Sequence, residues 1–498
     1  MQTHGWWVRL LIIGLMLFGT ALPAKAGPAK LSQISSFSPF DSCTDDDPGS
    51  QPGSISNDSE VEPWIAVDPT NPKHIVASWQ QDRWSNGGAR GLLVGVSFDG
   101  GKSWNDLPLP DLSLCTGGEF HRVSDPWLTF GPTGEIYHAT LAVDLQLVQL
   151  LLGQADQGRS AMLVQKSIDG GFTWSDPVAV IDETFAGLND KQSITADPFD
   201  PRAVYIVWDR LDFINGGGPA FFSRTIDGGA TWEAPRTIYD PGPDSQTLAS
   251  QVVVLPDGTL IDFFNVINEI PTVPFTTNTL ALKRSPDQGK TWSPAGDPIV
   301  ASSMEPSFNV NDPDTGTPLR SGDSLFDVAV DPTNGTLYAV WQDARFGRFA
   351  HESVAFSMSK DGGFNWTEPV QINRTPSDLP IANQQAFVPS IAVTRKGMLA
   401  ITYYDFRFNG AEPEALTDQW AITCKPKAKR DCSDPEQWSE LRLTQESFDI
   451  RKTPNAGGFF LGDYDGLAAG NNRFIAVFSV SSDTDPANLI SGDFKKGK

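Results

Sequence analysis

The chain has 498 residues, 20% of them charged, and a formal net charge of −24. A surface this acidic repels nucleic acid and anionic lipid, which argues against both as partners. No stretch reaches the roughly 18 apolar residues that a spanning helix needs, so membrane insertion is not expected either.

Residues 1–26 read as a secretory signal peptide. Arg9 supplies the positive start, Leu10 to Leu22 the apolar run and Ala24-Lys25-Ala26 the cleavage site. The mature chain is expected to be secreted, extracellular or periplasmic. Residues 27–60 form an N-terminal segment in which Leu31 to Phe37 is a candidate strand. Four cysteines in an exported chain permit two disulfides. Cys424 and Cys432 flank the basic run Lys425 to Arg430 and would close a hairpin; Cys43 would then meet Cys115. Four free thiols are the alternative. No two cysteines have CxxC spacing, so no zinc site is expected.

From residue 61 onward one unit recurs. It opens on an apolar strand, Trp64-Ile65-Ala66-Val67, turns at Asp68-Pro69 and returns on Ile75 to Trp79. Later units open near Trp127, Ile194, Val252, Phe326, Ile391 and Leu467. Five units carry a second turn: Ser97-Phe-Asp99-Gly-Gly-Lys-Ser-Trp104, then copies at Ser167–Trp174, Thr225–Trp232, Ser285–Trp292 and Ser359–Trp366. Its Asp can accept backbone N–H groups, its Gly supplies positive φ and its Trp anchors the returning strand. That Asp is structural, not a catalytic acid. Each unit thus holds four antiparallel strands at a period of roughly 60 residues, the pattern of a β-propeller. Seven blades are expected, with six as the alternative. The seventh unit runs out after three strands and needs a fourth from the N-terminal segment. Two segments depart from the pattern. Leu141 to Ser160 reads as a short helix or a packed loop. Residues 293–322 read as an insertion whose Asp312-Pro-Asp314-Thr-Gly316 makes calcium the one cofactor considered.

The repeated turn is the Asp-box, and with this blade pattern the chain resembles the sialidase superfamily of BNR/Asp-box propellers over most of residues 61–498. The resemblance implies an all-β propeller, a glycan partner and a secreted glycoside hydrolase, with an exo-α-sialidase as its sharpest form. Such enzymes use an arginine triad for the sialate carboxylate, a Tyr nucleophile assisted by Glu, and an Asp acid/base. On this chain the resemblance points to Tyr464 as nucleophile, Glu62 as its partner, and Asp82 or Asp125 as the acid. Arg83, Arg210, Arg345 and Arg407, which follow the second strands, are the substrate-binding candidates. The place of the family's first Arg instead reads Val61-Glu62-Pro63-Trp64.

Two other classes fit the same residues. A non-catalytic propeller would use Arg–Asp pairs as glue between repeats while binding a glycan or protein. A polysaccharide lyase would need a His or Tyr base beside a charge neutraliser, and His121 is the best-placed of the five histidines.

Overall fold

The computed structural model describes residues 29–214, 216–269, 276–307, 310–410, 413–427 and 430–495; the expected signal peptide and two residues of the basic hairpin lie outside them. The described chain is all-β apart from one α-helix, Leu145–Leu151, and short 3-10 turns. Its strands form seven antiparallel sets of four, an arrangement consistent with a propeller. The first strands of the sets are Ile55–Val67, Arg122–Phe130, Gly187–Ala196, Ser245–Val254, Phe326–Val330, Ala386–Val393 and Gly466–Ala469. Sets one and two join through a single pair, Ala89 with Val123.

The seventh set is completed by Lys30–Gln33, which pairs with Asn488–Phe494. This strand is shorter than the expected 31–37 stretch. The first set also begins at Ile55, ahead of the expected boundary at 61. The presumed insertion at 293–322 divides: Ile299–Met304 is the fourth strand of the fourth set, and Leu319–Arg320 pairs in parallel with Phe459–Phe460. Pro and Ser there conceal an ordinary outer strand. The helix lies between the second and third strands of the second set and buries Leu147 and Val148.

Both faces of each set are apolar, so the core is divided into layers. Val76, Leu92 and Val94 of set one meet Val123, Leu128 and Leu163 of set two. Tyr137 and Val164 of set two meet Ile206 and Trp208 of set three. Equivalent layers join sets three and four, four and five, five and six, and six and seven. A further layer joins Val477 and Leu489 of set seven to Ile65 and Trp79 of set one.

The repeated turns close as their chemistry requires. In the first, Asp99 Oδ1 accepts Lys102 N at 2.9 Å and Ser103 N at 3.1 Å, and Asp99 Oδ2 accepts Ser103 Oγ at 2.7 Å. Slight burial would raise this carboxyl, but the Ser103 bonds hold it down at about 2. In the last copy Asn365 Nδ2 replaces the hydroxyl, donating to Asp361 Oδ2 at 2.7 Å. Both disulfides, Cys43–Cys115 and Cys424–Cys432, are present.

Candidate functional site

The site is built by one backbone irregularity repeated around the molecule. In five of the first strands, two residues oppose a single partner residue, which is a β-bulge. The leading bulge residues are Glu62, Asp125, Lys191, Ala249 and Val388, and all have positive φ, between 46° and 62°. None is glycine, so each is held in a conformation that costs roughly 1–3 kcal/mol. Leu325 and Tyr464 hold the corresponding places before Asp327 and Gly466 in sets five and seven, by the register of those strands. Asp125, Lys191, Ala249, Leu325 and Tyr464 line one cavity, together with Trp64, Trp127 and Asp463. A neighbouring channel is lined by residues from all seven first strands.

Lys191 is the hub. Its Nζ lies 2.9 Å from Asp463 Oδ2 and 3.4 Å from both Glu62 Oε1 and Asp125 Oδ2. Arg320 Nε donates to Asp463 Oδ1 at 2.9 Å, and its NH2 pairs with the other oxygen. Gln80 donates to Glu62 Oε2. Arg83 NH1 donates to Gln80 Oε1 at 2.7 Å, while Arg83 Nε has no partner among the described residues.

Burial then sorts the carboxyls. It pushes Glu62 up to about 8, more strongly than Lys191 pulls it down. Burial would raise Asp125 too, but the Lys191 ammonium beside it holds it below the usual range. Asp463 is likewise buried yet held well down by Arg320 and Lys191. Asp190 is pushed up to about 7 by burial and by Asp125. Neighbouring carboxyls are thus pushed in opposite directions, Glu62 and Asp190 up, Asp125 and Asp463 down.

Trp64 and Trp127 stack with centroids 3.4 Å apart, and Tyr464 meets both edge-on at 6.1 and 5.6 Å. Tyr464 Oη donates to Pro126 O at 3.2 Å, and its phenol is pushed well above its ordinary value by burial and then by Glu62.

Of the residues expected from sequence, Glu62, Asp125, Tyr464 and Arg83 converge here. The other four do not. Asp82 is buried and accepts Ser38 Oγ at 2.8 Å and Asp58 N at 3.0 Å, tying down the N-terminal segment. Arg210 is spent on Glu183 of the preceding set at 2.8 Å, and Arg345 on Asp343 at 2.7 Å and Ser303 O at 2.6 Å. Arg407 is clamped by Asp405 and Glu440 over the Trp420 ring. Arg210 and Arg345 act as glue between neighbouring sets, because the end of a second strand lies beside the outer strand of the set before. His121 pairs with Asp144, the N-cap of the helix. Asp312 and Asp314 of the calcium-like loop both receive Arg451. At the hub, the Lys191 ammonium stands where three carboxylates would otherwise gather a cation.

Sequence reasoning placed Lys191 only among the charged residues that lead into the first strands, and it missed Arg320 and the tryptophan pair as site residues. The triplets Glu62-Pro63-Trp64 and Asp125-Pro126-Trp127 were the available signal. Arg320 comes from an irregular segment and had none.

No protein-family model matches the sequence, and no curated protein matches it. Among solved structures, the chain is similar to a protein of unknown function from Dyadobacter fermentans, at 14% identity over 90% of this chain and 96% of that chain, with a TM-score of 0.48. It is similar to an α-L-arabinofuranosidase from Fusarium graminearum solved with an iminosugar inhibitor, at 11% identity over 89% and 95%, TM-score 0.45. A sialidase from Trypanosoma rangeli in complex with sialic acid is similar at 12% identity over 78% and 55%, TM-score 0.42. The functional reading therefore rests on this chain's own residues.

Proposed function

We propose that this protein is a secreted seven-bladed propeller that processes a glycan at its axis by acid/base hydrolysis. Support for the ring is cyclic: each first strand contacts the next, and Gly466–Ala469 contacts Ile55–Val67 again. The observation that supports the chemistry is the gathering of Glu62 and Asp125, each 3.4 Å from Lys191 Nζ, beside the Trp64–Trp127 pair, with burial pushing Glu62 up to about 8 and Lys191 holding Asp125 below the usual range. Glu62 is the proton donor to the leaving oxygen. Asp125 is the carboxylate that activates water or steadies developing positive charge. The tryptophans offer an apolar wall to a sugar face, and the free Nε–H of Arg83 is a donor for an anionic group.

Exo-α-sialidase action is the sharpest form of this reading. It needs Tyr464 to lose its proton as nucleophile and Arg83 with Arg320 to take the carboxylate. A second reading, glycan binding without turnover, is favoured by one observation: Lys191, Asp463 and Arg320 already satisfy one another.

The test is a panel of aryl glycosides that includes an α-sialoside, assayed with wild type, Glu62→Gln and Tyr464→Phe. Turnover that falls about 10²–10⁴-fold in Glu62→Gln supports the hydrolase. Loss in Tyr464→Phe on the sialoside alone supports the sialidase form. No turnover on any substrate, with glycan binding abolished by Trp127→Ala, replaces the hydrolase by the binding reading.

A further inference from the structure

Glu62 and Asp125 are 0% and 4% exposed, and the free space of the axial cavity is about 30 Å³. That volume holds water and not a sugar ring. A glycosidic oxygen therefore cannot reach Glu62 unless something that encloses it moves.

Two segments outside the seven sets enclose it. Residues 310–325 lead into set five, and residues 453–465 lead into set seven. Both end in the cavity wall, the first with Ser321, Gly322 and Leu325, the second with Asp463 and Tyr464. The second segment covers Glu62 directly. Glu62 N donates to Leu461 O at 3.3 Å, and Asp463 N donates to Glu62 Oε1 at 3.3 Å. Phe460 is fully buried between two guanidiniums, its ring 5.0 Å from Arg83 and 4.8 Å from Arg320.

The two segments are fastened to each other at three points. Leu319–Arg320 pairs with Phe459–Phe460, and Phe459 N donates to Pro318 O at 3.1 Å. Arg320 clamps Asp463. Arg451, at the foot of the second segment, donates through Nε to Asp312 Oδ2 at 2.5 Å and through NH2 to Asp314 Oδ2 at 2.9 Å. The fit is close enough to require glycine twice. A Cβ on Gly458 would lie 2.7 Å from Pro318 O, and one on Gly462 would lie 2.8 Å from Glu62 N.

Resting on the glycan reading above, we propose that residues 310–325 and 453–465 form a two-part lid over the axial site, closed in this structure and latched by Arg451 on Asp312 and Asp314. Parting of the segments uncovers Glu62 and withdraws Phe460 from between the guanidiniums. Closure then shuts water out around the bound sugar. Asp312 is buried, so loss of Arg451 strips it of its charge partner and favours the open state. The seven sets keep their own pairing throughout.

The experiment places a reporter thiol in the cavity wall by Ser250→Cys and follows its reaction with a small methanethiosulfonate. Ser250 is fully buried, and the four native cysteines are paired, so the reporter is the one free thiol. It is expected to react faster than the protein unfolds. Adding Arg451→Ala is expected to speed the reaction by about tenfold or more. Adding Asp287→Ala instead, at the far ends of the strands of set four, is expected to leave it unchanged. A thiol that reacts no faster than unfolding, or a rate that Arg451→Ala does not raise, overturns the proposal. Equal acceleration by both variants does so too, since it assigns the reaction to global unfolding. If the reporter variant does not fold, amide exchange read by mass spectrometry decides. Arg451→Ala must then speed exchange in residues 310–325 and 453–465 together, ahead of the strands. If the latch responds but no glycan is turned over or bound, the lid stands and the glycan reading falls. If glycosides are turned over while the reporter stays inert, the reverse holds.

Discussion

Two single residues make the electrostatics measurable. Asp262 is fully buried, and neither carboxylate oxygen has a partner among the described residues. Burial, then Asp209, pushes its carboxyl well above its ordinary value. The folded state therefore binds a proton that the unfolded state has released above about pH 4, so stability falls as pH rises from there. Asp262→Asn removes that proton uptake. Urea unfolding is expected to show the variant gaining about 1–3 kcal/mol over wild type at pH 8, and little or nothing at pH 4. Glu62 carries the second measurement. As a general acid it works only while protonated, so activity is expected to decline as pH rises through about 8. In Glu62→Gln the residual activity should lose that alkaline limb; a limb that persists would assign it to another group.

At the scale of elements, the repeated turn and the bulge are opposites. The turn is local chemistry on the surface, and its disruption is mild. Asp287 accepts Thr291 N at 2.9 Å, Thr291 Oγ1 at 2.7 Å and Ser285 Oγ at 2.8 Å, yet lies open to water. Asp287→Ala is expected to cost about 1 kcal/mol in thermal or urea unfolding. Opposed by slight burial, these bonds hold its carboxyl at about 2, so their contribution vanishes as pH falls through that value. The turn was fully legible in the sequence because Asp, Gly and Trp recur at fixed offsets. The strand order was legible too, since apolar runs and Asp-Pro or Asp-Gly turns mark each unit. The bulge was not. It adds one residue to one strand, and the positive-φ places hold Glu, Asp, Lys, Ala and Val where glycine would have flagged them. Hence Tyr464, Asp125 and Lys191 could be suspected from position, whereas the central place of Lys191 emerged only with the register and Arg320 only with the fold. Arg210 and Arg345 misled because a repeated charge serves repeat-to-repeat packing as well as it serves a ligand, and Arg407 because it is clamped within its own set.

The whole molecule depends on one short strand. Lys30–Gln33 covers the outer edge of the seventh set, and Gln33 Nε2 donates to Asn488 Oδ1 at 2.7 Å. A chain that starts at Ile34 would leave Asn488–Phe494 as an open edge, a template for pairing with another chain. That truncation is expected to lower the melting temperature by about 5 °C or more and to raise light scattering on heating. An unchanged melt with no self-association would place the strand outside the cooperative unit.

The same pairing sets a clock on synthesis. Gln33 and Asn488 are 455 residues apart. A ribosome adding roughly 5–20 residues per second delivers the second roughly 20–90 seconds after the first. Throughout that interval Lys30–Gln33 has no Asn488–Phe494 to join, and the sets already made present an unpaired flank. The seventh set cannot be completed before Asn488–Phe494 exists.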